Sequence, residues 1–171
     1  VWKFVPISPA YAVAGHYNGL AFFKKTPAGW GFEATLSGLT ESSRLLAKDD
    51  QGNIWMAHPY RGIFRVRVNL PEQQLSADFF DQQQGLPSAL GNHLFQLGEN
   101  IVFTGEMGIF NFSREQNRFL ADANFEQIFG PNAHVRYLKQ DQAGNIWYAT
   151  DRETGLLMVE NNTLGKNVRR V

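Results

Sequence analysis

The side chains of this chain that could do chemistry fall into short polar stretches set between apolar ones. His16, Tyr17 and Asn18 form one stretch, and His58, Pro59, Tyr60 and Arg61 a second. Glu106 with Met107 makes a third, and Asp151, Arg152, Glu153 and Thr154 a fourth. Glu41, Ser42, Asn92, His93, Asn132 and His134 lie in further stretches of the same kind. Aromatic bodies with polar tips suit a polar organic ligand, whose apolar faces stack on rings while its hydroxyls bond amides, guanidiniums and carboxylates. On this ground His58, Tyr60, Arg61, His16, Tyr17, Glu106, Asp151 and Arg152 are the candidate ligand contacts, with His58, Tyr60 and Arg61 the densest group. The plainer reading is that turns between strands are polar in any water-exposed β protein.

Other chemistries find less support. The four histidines are far apart in sequence and no cysteine can share coordination, so no zinc set is expected. Asp49 and Asp50 are not followed by the spaced oxygen ligands of a calcium loop. Neither a phosphate-cradling glycine loop nor a Gly-x-Ser-x-Gly nucleophile turn occurs, so no cofactor and no serine hydrolysis are expected. Glycoside hydrolysis needs two carboxylates aimed across one sugar, a role open to Glu106 with Asp151 or Glu153.

Composition narrows the partners. Sixteen Lys plus Arg balance 16 Asp plus Glu, leaving no excess basic charge to hold nucleic acid or an anionic membrane. The apolar runs are too short to cross a bilayer. Val1 to Pro9 shows no basic start and no sufficient apolar run for a signal peptide, and a start at Val1 is expected of a segment cut from a longer chain.

The polar stretches are positioned by a repeat. Asp50, Gln51, Gly52, Asn53, Ile54 and Trp55, then Gly62, Ile63 and Phe64, return as Asp141, Gln142, Ala143, Gly144, Asn145, Ile146 and Trp147, then Gly155, Leu156 and Leu157, with one extra turn residue in the second copy. Gly98 to Phe103 with Gly108 to Phe110 is a degraded copy, and Ala12 to Ala14 with Gly19 to Phe22 a weaker one. The aligned glycines Gly19, Gly62, Gly108 and Gly155 recur every 43 to 47 residues, the period of a propeller blade. Short β-branched and aromatic runs divided by Gly, Asn, Asp and Pro read as strands, with no helix required. In the second repeat the strands are expected at 44–49, 53–58, 62–68 and 75–80. The near-continuous apolar runs at Ile54 to Ala57 and at Ile63 and Phe64 demand burial on both sheet faces, which stacked sheets supply. Asp50, Gly52, Trp55, Gly62, Asp141, Gly144, Trp147 and Gly155 are expected to be structural residues of the repeat, and Trp55 to dominate its sheet's packing.

The expected fold is therefore all-β: a β-propeller segment spanning 1–171, with four four-stranded antiparallel blades at about 1–37, 38–84, 85–130 and 131–171, within a larger seven- or eight-bladed ring. The chain is expected to begin near a first strand at Trp2 to Val5 and to finish on a fourth strand at Lys166 to Val171. Open blade faces at the two ends favour self-association. With the first strand of each blade innermost, the turns after the second strand and the leads into the next first strand share one face, and all four histidines fall there.

The combination of Gly85, Leu86, Pro87 and Ser88 with Asp50 to Phe64 and Asp141 to Leu157 resembles the two-component regulator propeller repeat. That resemblance implies the sensor region of a bacterial signalling receptor, periplasmic or extracellular, non-catalytic itself, binding a small-molecule or oligosaccharide ligand. A histidine kinase, a diguanylate cyclase or a DNA-binding output would lie elsewhere in the parent protein. A protein-interaction platform and a sialidase-like propeller glycosidase are the alternatives.

Overall fold

The computed structural model describes residues 1–70 and 72–158. Its strands form four consecutive antiparallel sheets, each a meander of sequence neighbours. The first holds β1 (Phe4–Pro6), β2 (Tyr11–His16), β3 (Gly19–Thr26) and β4 (Gly29–Thr35); the second β5 (Leu45–Lys48), β6 (Ile54–His58), β7 (Gly62–Asn69) and β8 (Gln74–Phe80). The third holds β9 (His93–Leu97), β10 (Asn100–Gly105), β11 (Gly108–Ser113) and β12 (Arg118–Ala121). The fourth shows β13 (Val135–Gln140), β14 (Ile146–Thr150) and β15 (Thr154–Leu157). The strand expected at Lys166 to Val171 lies outside the described residues.

The chain divides into two compact units, Val1–His58 with Ile63–Phe79, and Pro59–Gly62 with Phe80 onward. In the first unit, Val13, Leu20 and Phe22 of the first sheet join Leu46, Ile54, Met56 and Val66 of the second in one core. β2 and β6 are buried at nearly every position, as their unbroken apolar runs require. In the second unit, Leu97, Val102 and Ile109 meet Val135, Leu138, Ile146, Tyr148 and Leu157. Each fully buried side chain of this size contributes roughly 1.5 to 3 kcal/mol.

Two expectations need correction. A helix is present: α1 (Ala123–Phe129) lies between the third and fourth sheets and adds Phe125 to the core. Its start is written in Asp122, a buried N-cap whose carboxylate accepts hydrogen bonds from the Asn124 and Phe125 N–H groups and from Asn111 Nδ2. Alternating strand signals on either side hide so short a helix.

The second correction concerns the turn that joins the first and second strands. The carboxylate that organises it in the second sheet is Asp49, one residue before Asp50. Asp49 Oδ1 accepts from Gln51 N at 3.0 Å and Asn53 N at 2.8 Å, and Oδ2 accepts from Asn53 Nδ2 at 2.9 Å and Trp55 Nε1 at 2.8 Å. Asp141 does the same in the fourth sheet, accepting from Ala143 N and Asn145 N, both at 2.9 Å, and from Asn145 Nδ2 at 3.2 Å. Aligned on these aspartates, Asp49 to Trp55 and Asp141 to Trp147 have equal length, and the extra turn residue vanishes. Gly52 and Gly144 sit at φ +82° and +88°, a left-handed region that glycine enters freely.

Candidate functional site

A cavity of about 550 Å³ opens in the second unit. Three turns and a strand start enclose it. Glu106 comes from the β10–β11 turn, and Phe129 and Pro131 from the end of α1 and the residues after it. Asn132, Ala133 and His134 come from the lead into β13 and Arg136 from β13 itself, while Thr150 ends β14 and Asp151, Arg152 and Glu153 form the β14–β15 turn.

Strand pairing brings these groups together. The pairing of Val135 with Thr150 sets the residues flanking Val135 beside Asp151. Asp151 Oδ2 lies 2.9 Å from His134 Nδ1, and its Oδ1 accepts from Arg136 Nε. The hydrogen bond from Arg136 outweighs desolvation and, with His134, holds the Asp151 carboxyl below the usual carboxylate range. An ionised carboxylate can only accept, so His134 Nδ1 carries a proton and, in the neutral imidazole, Nε2 is a bare lone pair. Among the described residues that nitrogen is buried without a hydrogen-bond partner. It faces Gly91, where an added Cβ would meet Glu106 Cγ at 2.8 Å and His134 Nε2 at 3.2 Å. Thr104 Oγ1 donates to the Val135 carbonyl at 2.7 Å and anchors the start of β13.

The β14–β15 turn is equally fixed. Thr150 Oγ1 accepts from Arg152 N and Glu153 N, both at 3.1 Å, and Thr150 N donates to the Glu153 carbonyl at 2.8 Å. Glu153 accepts from the Tyr148 hydroxyl at 3.1 Å. Phe129 stands edge-on to Tyr148, 4.9 Å between centroids, and gives the cavity an apolar wall.

Of the sequence candidates, Glu106, Asp151 and Arg152 line this cavity together. His58, Tyr60, Arg61, His16 and Tyr17 do not line it. His58 Nε2 lies 3.8 Å from a Glu41 carboxylate oxygen in the first unit. His16 Nδ1 accepts from Asn18 N, and Tyr17 packs edge-on against Trp2, which in turn lies 5.4 Å beneath the Arg44 guanidinium. Tyr60 and Arg61 are exposed in the second unit, where Gly91 N donates to the Pro59 carbonyl at 2.8 Å. Arg136 is not legible in the sequence because nothing local marks a strand residue that reaches a turn through its partner strand, whereas Thr150 joins the site through the local bonds of its own turn. His134 belongs to one of the polar stretches of the sequence but is not among its candidate ligand contacts.

Held low and bonded to Arg136 and His134, Asp151 does not suit the general-acid role of a glycosidase, which needs a raised pKa. Among the described residues no three His, Cys, Asp or Glu are grouped to hold a metal ion.

No family model and no curated protein matches the chain. Among solved structures, the chain is similar to the extracellular domain of BT4673, a proposed one-component system of B. thetaiotaomicron, with a TM-score of 0.62 and 17% identity. That likeness covers 98% of this chain and 21% of the other, so the chain spans about a fifth of that domain's length. The extracellular domain of BT3049, a proposed hybrid two-component system of the same organism, gives a TM-score of 0.47 at 19% identity over 87% of this chain and 19% of the other. The first likeness is one of fold.

Proposed function

We propose that this chain is a non-catalytic, extracytoplasmic ligand-binding segment of a bacterial signal-transduction receptor, built from two-component regulator propeller repeats as part of a larger β-propeller. The observation that carries the reading is the cavity between the β10–β11 turn, the β14–β15 turn and the lead into β13. In a propeller these segments share one face, and that face is where a ligand would bear on several blades at once. The likeness of fold to an extracellular domain supports the location and the signalling role. The ligand class is a small polar organic molecule or oligosaccharide: Phe129 offers an apolar face, and Asn132, Thr150 and Glu106 offer hydrogen-bonding groups.

Calorimetric titration of the chain with a panel of mono- and oligosaccharides tests it. Binding that Arg136→Ala and Asp151→Asn weaken at least tenfold, with Tyr60→Ala and Arg61→Ala unchanged, supports this cavity. Loss on Tyr60→Ala or Arg61→Ala alone moves the site to the Pro59–Gly62 turn.

A platform for protein partners, or for a second copy of this chain, is the second reading. Phe4, Phe23 and Phe32 form an edge-to-face ladder across β1, β3 and β4, and Phe32 is 62% exposed. Tyr137 and Trp147 are likewise exposed on the fourth sheet. Exposed aromatic side chains clustered in this way are suited to recognition. Concentration-dependent sedimentation abolished by Phe32→Lys would favour that reading.

A further inference from the structure

Resting on the ligand-binding reading, we infer that the cavity of the second unit selects a zwitterion, a small molecule carrying a carboxylate for Arg152 and an ammonium for Glu106. The inference starts from how the charged groups of the cavity are already matched. Asp151 is satisfied by Arg136 and His134. Glu153 accepts from the Tyr148 hydroxyl and is engaged further, so it is not free. Glu106 and Arg152 remain, and among the described residues neither side chain makes a hydrogen bond or ion pair, with each other or with any other group. They stand on the turns of two neighbouring sheets, β10–β11 and β14–β15, and both line the same space.

Two unmatched charges of opposite sign discriminate in a definite way. A pure anion meets Arg152 but is repelled by Glu106, and a pure cation meets the reverse. A neutral ligand displaces water from both charges and neutralises neither. A molecule with an ammonium and a carboxylate satisfies both, and a guanidinium holds a carboxylate through two parallel N–H donors. The site is prepared for this. The Thr150 hydroxyl fixes the backbone that carries Arg152, and Gly91 leaves no room for a side chain between Glu106 and His134. A cavity of about 550 Å³ is of the size that takes a compound of a few residues or one substituted sugar. Phe129 and Pro131 line it as an apolar wall for the body of such a molecule.

Free α-amino acids and short peptides carry this charge pair, and so do sugars bearing both an amine and a carboxylate. Calorimetric titration separates the two sources with triglycine and muramic acid as probes. N-acetyl-triglycine, triglycine amide, N-acetylmuramic acid and glucosamine serve as single-charge controls, and glucuronic acid and maltotriose as ligands without the pair. The expected result is that at least one zwitterion binds and that its single-charge analogues bind at least tenfold more weakly. Glu106→Gln should then erase the advantage of the free amine while keeping that of the carboxylate, and Arg152→Gln the reverse. Both residues are exposed, and unchanged far-ultraviolet dichroism of each variant checks that it folds. If neither zwitterion binds, or if blocking either charge leaves affinity unchanged, the inference is overturned. Binding of maltotriose or glucuronic acid without the zwitterions would overturn it while leaving the ligand-binding reading intact; no binding by any probe would count against both.

Discussion

The turns Asp49 to Trp55 and Asp141 to Trp147 have the same length and the same pattern of hydrogen bonds to one aspartate, yet their tryptophans end in different environments. Trp55 is 3% exposed, with the Arg65 guanidinium 5.7 Å from its ring centre, while Trp147 is 52% exposed, opposite Lys139 and Leu156 on its neighbouring strands. A carboxylate, an asparagine and a left-handed glycine suffice to close the turn from within. Burial of the indole is set by what lies over the sheet, which no residue of the turn encodes. The same local sequence therefore accompanies a packing residue in one sheet and, in this segment, a half-exposed aromatic in the other.

The largest effect expected from this contrast is on stability. Trp55→Ala should lower the free energy of unfolding by about 3–5 kcal/mol, the range for emptying a buried aromatic site. Trp147→Ala, half in solvent, should cost under about 1 kcal/mol. Urea unfolding of the two variants measures both, and equal losses would break the contrast.

Asp49→Ala comes next, at about 2 kcal/mol, because two backbone N–H groups and the Trp55 indole N–H lose their acceptor while Trp55 stays buried. Asp49→Asn sharpens the test. It keeps one acceptor oxygen for the backbone but can turn an amide N–H toward the indole, so its loss should fall between wild type and Asp49→Ala. The matching change Asp50→Ala separates the two neighbouring aspartates, since the carboxylate bonds described for the turn belong to Asp49.

These contrasts also measure how far the sequence could be read. The second-repeat strands are legible to within one residue, because short β-branched and aromatic runs divided by Gly, Asn and Asp turns are local signals. The register of the aspartate was not, since two adjacent aspartates, Asp49 and Asp50, satisfy the same spacing until the indole bond chooses one. Helix α1 was hidden by its brevity, although Asp122 and Gly130 mark its ends. At the cavity, Glu106, Asp151 and Arg152 stood out as polar turn residues. Arg136 did not, because its bond to Asp151 exists only once β13 pairs with β14.

A smaller and equal loss is expected at the two turn glycines. Gly52→Ala and Gly144→Ala each force a Cβ into left-handed backbone, at about 1 kcal/mol. Space is not the obstacle: nothing lies within 4 Å of a Cβ at Gly52, and at Gly144 the Gln140 amide is 3.9 Å away. Thermal unfolding should thus show matching decrements in the two sheets, in contrast to the tryptophan pair. Unequal decrements would mean that packing over the sheet also reaches the turn.

The smallest effect is a pH dependence confined to acid. Desolvation pushes the Asp141 carboxyl up, but hydrogen bonds from Asn145, Trp147 and Ala143 together outweigh it and hold the carboxyl below its ordinary value. A carboxyl that titrates lower when folded than when unfolded favours the folded state wherever it is ionised. Its contribution is therefore complete above the ordinary aspartate range, near 3.9, and disappears as pH falls from there through the depressed folded value. Carboxyl-carbon NMR of the folded chain should place the Asp141 midpoint below that range. Asp141→Asn should lower stability near neutrality by the amount the wild type loses through this carboxyl in acid, and so flatten the acid limb of the profile. A midpoint at or above the ordinary value would show that solvent around the exposed Trp147 sheet loosens the turn, so that the two turns differ in strength as well as in burial.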